Sequence, residues 1–110
     1  MPLSEKVRVE VFLPDSSDPI YKDLLEKLSD EFSYTFGGCT ITSSAGKYNS
    51  LSGVIMPDKI NILFTDIPCL WNNDRLPIER YVESLRKSVK KALAQEEALL
   101  VVVYPVYHFA

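Results

Sequence analysis

Apolar residues alternate singly over residues 7–13, where Val7, Val9, Val11 and Leu13 are separated by Arg8, Glu10 and Phe12. That period of two predicts a strand with one buried and one mixed face. Pro14, Asp15, Ser16 and Ser17 end it. Asp18 then offers a side-chain cap and Pro19 a pre-set φ at a first helical position, so a helix is predicted over 19–32. Its apolar stripe is Tyr21, Leu24, Leu25, Leu28 and Phe32, while Lys22, Asp23, Glu26, Lys27 and Asp30 face water.

Residues 34–42 are aromatic, β-branched or small and predict a second strand interrupted by the pair Gly37-Gly38. Residues 43–46 read as a turn, 47–50 as a short return strand and 51–53 as a second turn, which together make an extra hairpin. A third main strand is predicted over 59–66, with Ile60, Ile62 and Phe64 on the core face and Asn61, Leu63 and Thr65 on the other. Residues 67–75 read as a loop, and Pro77 as the start of a second helix. There Ile78, Val82, Leu85, Val89, Ala92 and Leu93 recur at helical spacing, and the helix is expected to reach about Gln95. Beyond Glu96-Glu97 comes an unbroken apolar run over 99–104 containing three consecutive valines. Stiff β-branched side chains favour extension, so this is the last strand, and both of its faces need cover.

The order strand, helix, strand, strand, helix, strand, joined by right-handed crossovers, predicts a single α+β domain over 1–110. It is a ferredoxin-like βαββαβ sandwich with a four-stranded antiparallel sheet, two helices on one face and the extra hairpin between strands 2 and 3. The other sheet face is then open and is expected to carry Arg8, Glu10, Phe12, Asn61, Leu63, Thr65 and half of the last strand. Five large apolar side chains there, at about 1.5–3 kcal/mol each, make their complete burial worth on the order of 10 kcal/mol before association costs. A homodimer packed back to back through its sheets is the expected assembly. Cover from within the chain, by the hairpin over 43–56 or a tail over 104–110 beginning near Pro105, is the competing arrangement.

Composition narrows the function classes. The chain has 110 residues, 46% apolar and 25% charged, enough for a core without metal or disulfide staples. A net charge of −3 and a pI near 5.1 argue against general nucleic-acid binding. The element order is also that of RNA-recognition domains, but residues 59–66 lack the aromatic motif those domains use, and Phe64 is assigned to the covered face. Cys39 and Cys69 stand thirty positions apart without nearby ligands, so neither a metal site nor a disulfide framework is expected, and no cofactor is implied. No apolar run is long enough to span a bilayer and the first residues lead into a strand, so no membrane attachment is expected and the cytoplasm is the default location.

Gly38-Cys39-Thr40 through Gly46-Lys47-Tyr48, Gly53 and residues 58–66 resemble a family of small bacterial proteins known only as a domain of unknown function, with a Gly-x-Thr strand, a Gly-x-Trp hairpin, a further glycine and an apolar strand. Tyr48 stands where that family carries Trp. The resemblance covers about the middle third of the chain; it implies the ferredoxin-like fold and no activity.

Few residues carry chemistry. His108, the only histidine, lies between Tyr107 and Phe109. An imidazole titrates near neutrality and can act as a general base, with Glu10 or Asp66 as its orienting carboxylate, although a tail histidine packed beside aromatics is the reading favoured for it. Cys69 has neither a helix N-terminus nor a cation evident beside it, and Cys39 reads as a small buried hydrophobe. Arg80, Arg86, Lys87, Lys90 and Lys91 make the second helix basic, which Glu79 and Glu83 at pairing distance explain as a solvated face. Arg8, Asn61, Thr65 and Tyr104 on the open face are the candidate ligand-binding residues, around a small-molecule pocket or, for Arg8 and Glu10, as an ion pair at a dimer rim. The expectation is thus a small self-associating binding or regulatory module. The alternative is a cofactor-independent enzyme of the dimeric α/β-barrel type using His108, Glu10 or Asn61.

Overall fold

A computed structural model describes residues 3–93 and 100–109 of the chain. The elements are β1 (Leu3–Pro14), α1 (Pro19–Phe36), β2 (Thr40–Asn49), β3 (Ile55–Ile67), α2 (Trp71–Leu93) and β4 (Leu100–Phe109). The four strands pair antiparallel in the order β2-β3-β1-β4, which places β4 at an edge. Both helices pack on one face of the sheet, so the fold is the ferredoxin-like sandwich.

Strand β1 supplies the centre of the core. Val7, Val9, Val11 and Leu13 are fully buried, and α1 brings Tyr21, Leu24, Leu28 and Phe32 onto them. α2 adds Leu85, Val89 and Leu93, members of the expected stripe. α1 begins as its sequence predicts: the Asp18 carboxylate accepts a hydrogen bond from the Ile20 N–H at 3.1 Å, and Pro19 occupies the first turn. It runs a turn further than predicted because Phe36, four residues after Phe32, continues the apolar stripe and meets Phe32 and Tyr81 edge to face. Gly37 ends it at φ 90°, with its N–H donating to the Ser33 carbonyl. The glycine expected inside a strand is therefore a helix cap, since few other residues take a left-handed φ without strain.

The turn predicted over 43–46 is continuous strand. β2 runs unbroken to Asn49, and the real turn lies between Ser50 and Val54, where the Ser50 N–H donates to the Val54 carbonyl and the Gly53 N–H to the Ser50 carbonyl, each at 2.9 Å. The extra hairpin is thus the far end of β2 and β3 themselves. α2 starts six residues before Pro77, which sits inside the helix. Glu5 of β1 accepts the Trp71 N–H at 3.0 Å and Asp74 accepts the Leu70 N–H at 2.9 Å, so two carboxylates satisfy the first turn in the way a cap residue would. Pro77 lacks the N–H that would have bonded the Asn73 carbonyl, a loss confined to one rung. The residues read as the end of this helix near Gln95, the Glu96-Glu97 pair and Leu99 lie outside the described residues. The expected tail over 104–110 is, to Phe109, a continuation of β4 paired with β1, so it does not fold over the sheet.

The register corrects the facing of β3. Val9 lies opposite Thr65, Val11 opposite Leu63 and Leu13 opposite Asn61. Partners in an antiparallel pair point to the same face, so Asn61, Leu63 and Thr65 face the helices while Ile60, Ile62, Phe64 and Asp66 lie on the open face. β3 is apolar on both sides, so alternation alone does not choose between its two faces. Replacing Leu63, fully buried, with Ala is expected to lower stability by about 2–5 kcal/mol in urea unfolding. A loss below about 1 kcal/mol would contradict this register.

Candidate functional site

The open face gathers charged groups at one end of an apolar sheet. Arg8, central on β1, lies opposite Asp66 on β3 and Tyr104 on β4. Its guanidinium makes a two-pronged contact with the Asp66 carboxylate, Nε to Oδ1 at 2.7 Å and Nη2 to Oδ2 at 2.9 Å. The same guanidinium lies 4.3 Å from the centre of the Phe64 ring, a cation stacked on an aromatic face. His108, near the end of β4, reaches across β1 so that its Nε2 lies 2.9 Å from Asp66 Oδ2. Tyr104 completes the group, opposite Arg8 on β4 and close enough to feel the charges of both Arg8 and Glu10.

The electrostatics follow from this geometry. Hydrogen bonding to Arg8, reinforced by its charge and by His108, holds the Asp66 carboxyl below the usual carboxylate range against the opposing effect of burial. The same bond to Asp66 keeps Arg8 fully charged. Partial burial, with Glu10 next, pushes the Tyr104 phenol up. Asp66 is therefore a fixed anion with both oxygens occupied.

Of the residues singled out from sequence, Arg8, Glu10, Tyr104 and His108 converge here, and Asp66, not Glu10, is the carboxylate that orients His108. Asn61 and Thr65 do not join them. Thr65 is buried on the helix side, where its Oγ1 donates to the Gly38 carbonyl at 2.7 Å. Asn61 is on that side too, accepting from Ser43 at 3.3 Å. Phe64 and Ile62 belong to the open face and were assigned to the core. The legible clue was charge: Asp66 shares parity with Phe64, and an opposite-charge pair with Arg8 across two strands would have set the facing. Cys69 does lie just before the N-terminus of α2, yet its thiol is pushed up, first by burial and then by Asp74 and Glu5, which makes it a poor nucleophile.

A stability consequence attaches to Asp66. Asp66→Asn is expected to cost roughly 1–3 kcal/mol at pH 6, because it loses the charged bonds to Arg8. A carboxyl lowered in the folded state stabilises above its unfolded value, about 3.9, and that contribution fades as pH falls through the lower folded value. The gap between wild type and Asp66→Asn should therefore be full at pH 6 and shrink below about pH 4 in urea titrations. A gap unchanged down to pH 2 would contradict the pairing.

No protein-family profile matches the chain, and no curated protein does either. Among solved structures it is similar to the protein CPII from Thiomonas intermedia K12, bound to ADP, AMP and acetate, at 16% identity over 100% of this chain and 94% of that one, with a TM-score of 0.56. It is similar to CutA from Synechococcus elongatus PCC7942 at 12% identity over 96% and 85%, TM-score 0.57. A phage SAM lyase in complex with S-methyl-5'-thioadenosine matches at 12% over 96% and 90%, also with a TM-score of 0.57. These likenesses establish the fold, and the resemblance read from the glycine motifs holds at that level only.

Proposed function

We propose that this protein is a small binding module that self-associates through its open sheet face. The observation that carries the reading is that face itself. Phe12, Ile60, Ile62, Phe64 and Val102 form an apolar stripe with no helix over it among the described residues. Arg8 and Asp66 neutralise each other in place, and Lys6 and Glu10 balance in number, so two identical faces can meet without net repulsion. A second copy is the occupant this favours, since a charged partner would need an unbalanced face. A homodimer is the simplest closed form.

The stripe residues are already partly shielded by one another. Covering them contributes on the order of a few kcal/mol, less than the complete burial expected from sequence, so the face does not act alone. Phe64→Asp places a charge in the middle of the stripe. Light scattering coupled to size exclusion at micromolar concentration should find wild type assembled and Phe64→Asp monomeric and folded. A monomeric wild type overturns the reading.

The ligand half of the proposal rests on a shallow, open depression of about 300 Å³ beside the charged cluster, lined by Gly38, Cys39, Thr40, Phe64 and Asp66 among others. That volume suits a small metabolite. ADP and AMP, held by the CPII structure, are the first probes. A ligand that binds only the folded state raises the melting temperature, so either nucleotide at millimolar concentration is expected to do so, and no shift with any nucleotide would remove this half.

A further inference from the structure

The sheet is staggered, and its two overhangs are unlike the body. β1 and β3 pair only over Val7–Pro14 and Ile60–Ile67. Past Pro14, residues 45–49 of β2 and 55–59 of β3 continue as a two-stranded arm. Past Ile67, residues 3–6 of β1 and 106–109 of β4 continue as a two-stranded ribbon at the opposite end. Apart from the Asp15 N–H, which donates to the Lys59 carbonyl at 2.9 Å, the inner strand edge of each overhang has no strand beside it among the described residues and is an open template for pairing. A two-stranded ribbon is marginal in water by itself.

Both overhangs expose apolar side chains. On the arm and its turn these are Tyr48, Val54, Ile55 and Met56; on the ribbon they are Leu3, Tyr107 and Phe109, the last 74% exposed. Such clusters on a small protein mark contact surfaces. The two ends cannot meet within one copy, because they cap opposite ends of a molecule whose longest dimension is 49 Å.

Their charges match face by face. On the helix side, the arm carries Lys47 and Lys59 with Ile55, and the ribbon carries Glu5 with Leu3, Tyr107 and Phe109. On the open side the arm carries Asp58 with Tyr48 and Met56, and the ribbon carries Lys6. Neither Asp58 nor Lys6 has an ion-pair partner among the described residues.

The area points the same way. Four strands about 4.8 Å apart over eight residues of about 3.3 Å give the body of the open face roughly 500 Å². A stable interface takes about 800 Å² from each partner. The overhangs are the remaining uncovered surface continuous with that face.

We propose that the β2–β3 arm of one copy seats on the β1–β4 ribbon of a second copy, with Asp58 set against Lys6 and Ile55 against Leu3 and Phe109. This rests on the self-association reading and specifies its contact. Repeated reciprocally the contact closes a dimer, and repeated head to tail it closes a ring.

The test is a charge exchange measured by light scattering over a dilution series. Asp58→Lys and Lys6→Asp are each expected to raise the concentration of half-dissociation about tenfold, as mispaired charges do at an interface, and the double variant to restore it. Ile55→Asp and Phe109→Asp, both at exposed positions, should weaken assembly with circular dichroism unchanged, and together no more than the stronger alone, since they disrupt one contact. Failure of the exchange to restore assembly, or wild-type assembly in all four single variants, overturns the arm contact. If Phe64→Asp still dissociates the protein in that case, the face reading stands and only the arm falls. A monomeric wild type overturns both.

Discussion

Among the described residues strand β1 is flanked on both edges over its middle and covered on one face only, and the rest of the structure answers to that asymmetry. Its helix-facing residues Val7, Val9, Val11 and Leu13 lose all contact with solvent. Each such side chain contributes roughly 1.5–3 kcal/mol of hydrophobic stabilisation, so this one strand anchors much of the core. Because it is paired with β3 and β4, its alternation dictates which residues of those strands lie on each face. Arg8 at its centre then meets Asp66 on one side and Tyr104 on the other.

The Arg8–Asp66 pair works as a register device more than as a source of stability. Taking two charges partly out of water costs several kcal/mol each, and a two-pronged bond with a stacked aromatic ring offsets that cost only when all partners are in place. A one-residue slip of β3 would put Asp66 among the buried valines and Leu63 in water. The pair penalises that slip heavily, which suits a strand whose two faces are otherwise alike.

Much of this was legible in the sequence, and what was not has a physical reason. The order of elements, α1 with its Asp18 cap and the β1 alternation all follow from local patterns. The facing of β3 did not, because Ile60, Ile62 and Phe64 look more core-like than Leu63 alone. The start of α2 was hidden because its capping groups come from Glu5, far away in sequence, and from Asp74 inside the first turn. Gly37 is ambiguous in the sequence because a paired glycine fits a strand bulge as well as a helix cap, and the Phe32–Phe36 spacing is what distinguishes them. At the site, His108 and Asp66 were named together, but Asn61 and Thr65 went to the wrong side with the rest of β3.

The strands themselves indicate where cover belongs. β1 alternates as a strand with one wet face does, and β2 is exposed along most of its length with small polar residues such as Thr40, Thr42 and Ser44 on the open side. β3 and β4 are different: each carries large apolar residues on both faces, the pattern of strands covered on two sides. Helices α1 and α2 account for one of those sides. The residues left over on the other, Ile60, Ile62 and Phe64 on β3 and Val102 on β4, flank β1 and run toward the arm through Met56 and Tyr48. A cover that follows this stripe crosses the sheet obliquely and leaves the start of β2 in solvent. That path suits a second staggered sheet better than a compact ligand, because a sheet of the same length follows the stripe from its charged end to its apolar tip while leaving the start of β2 free.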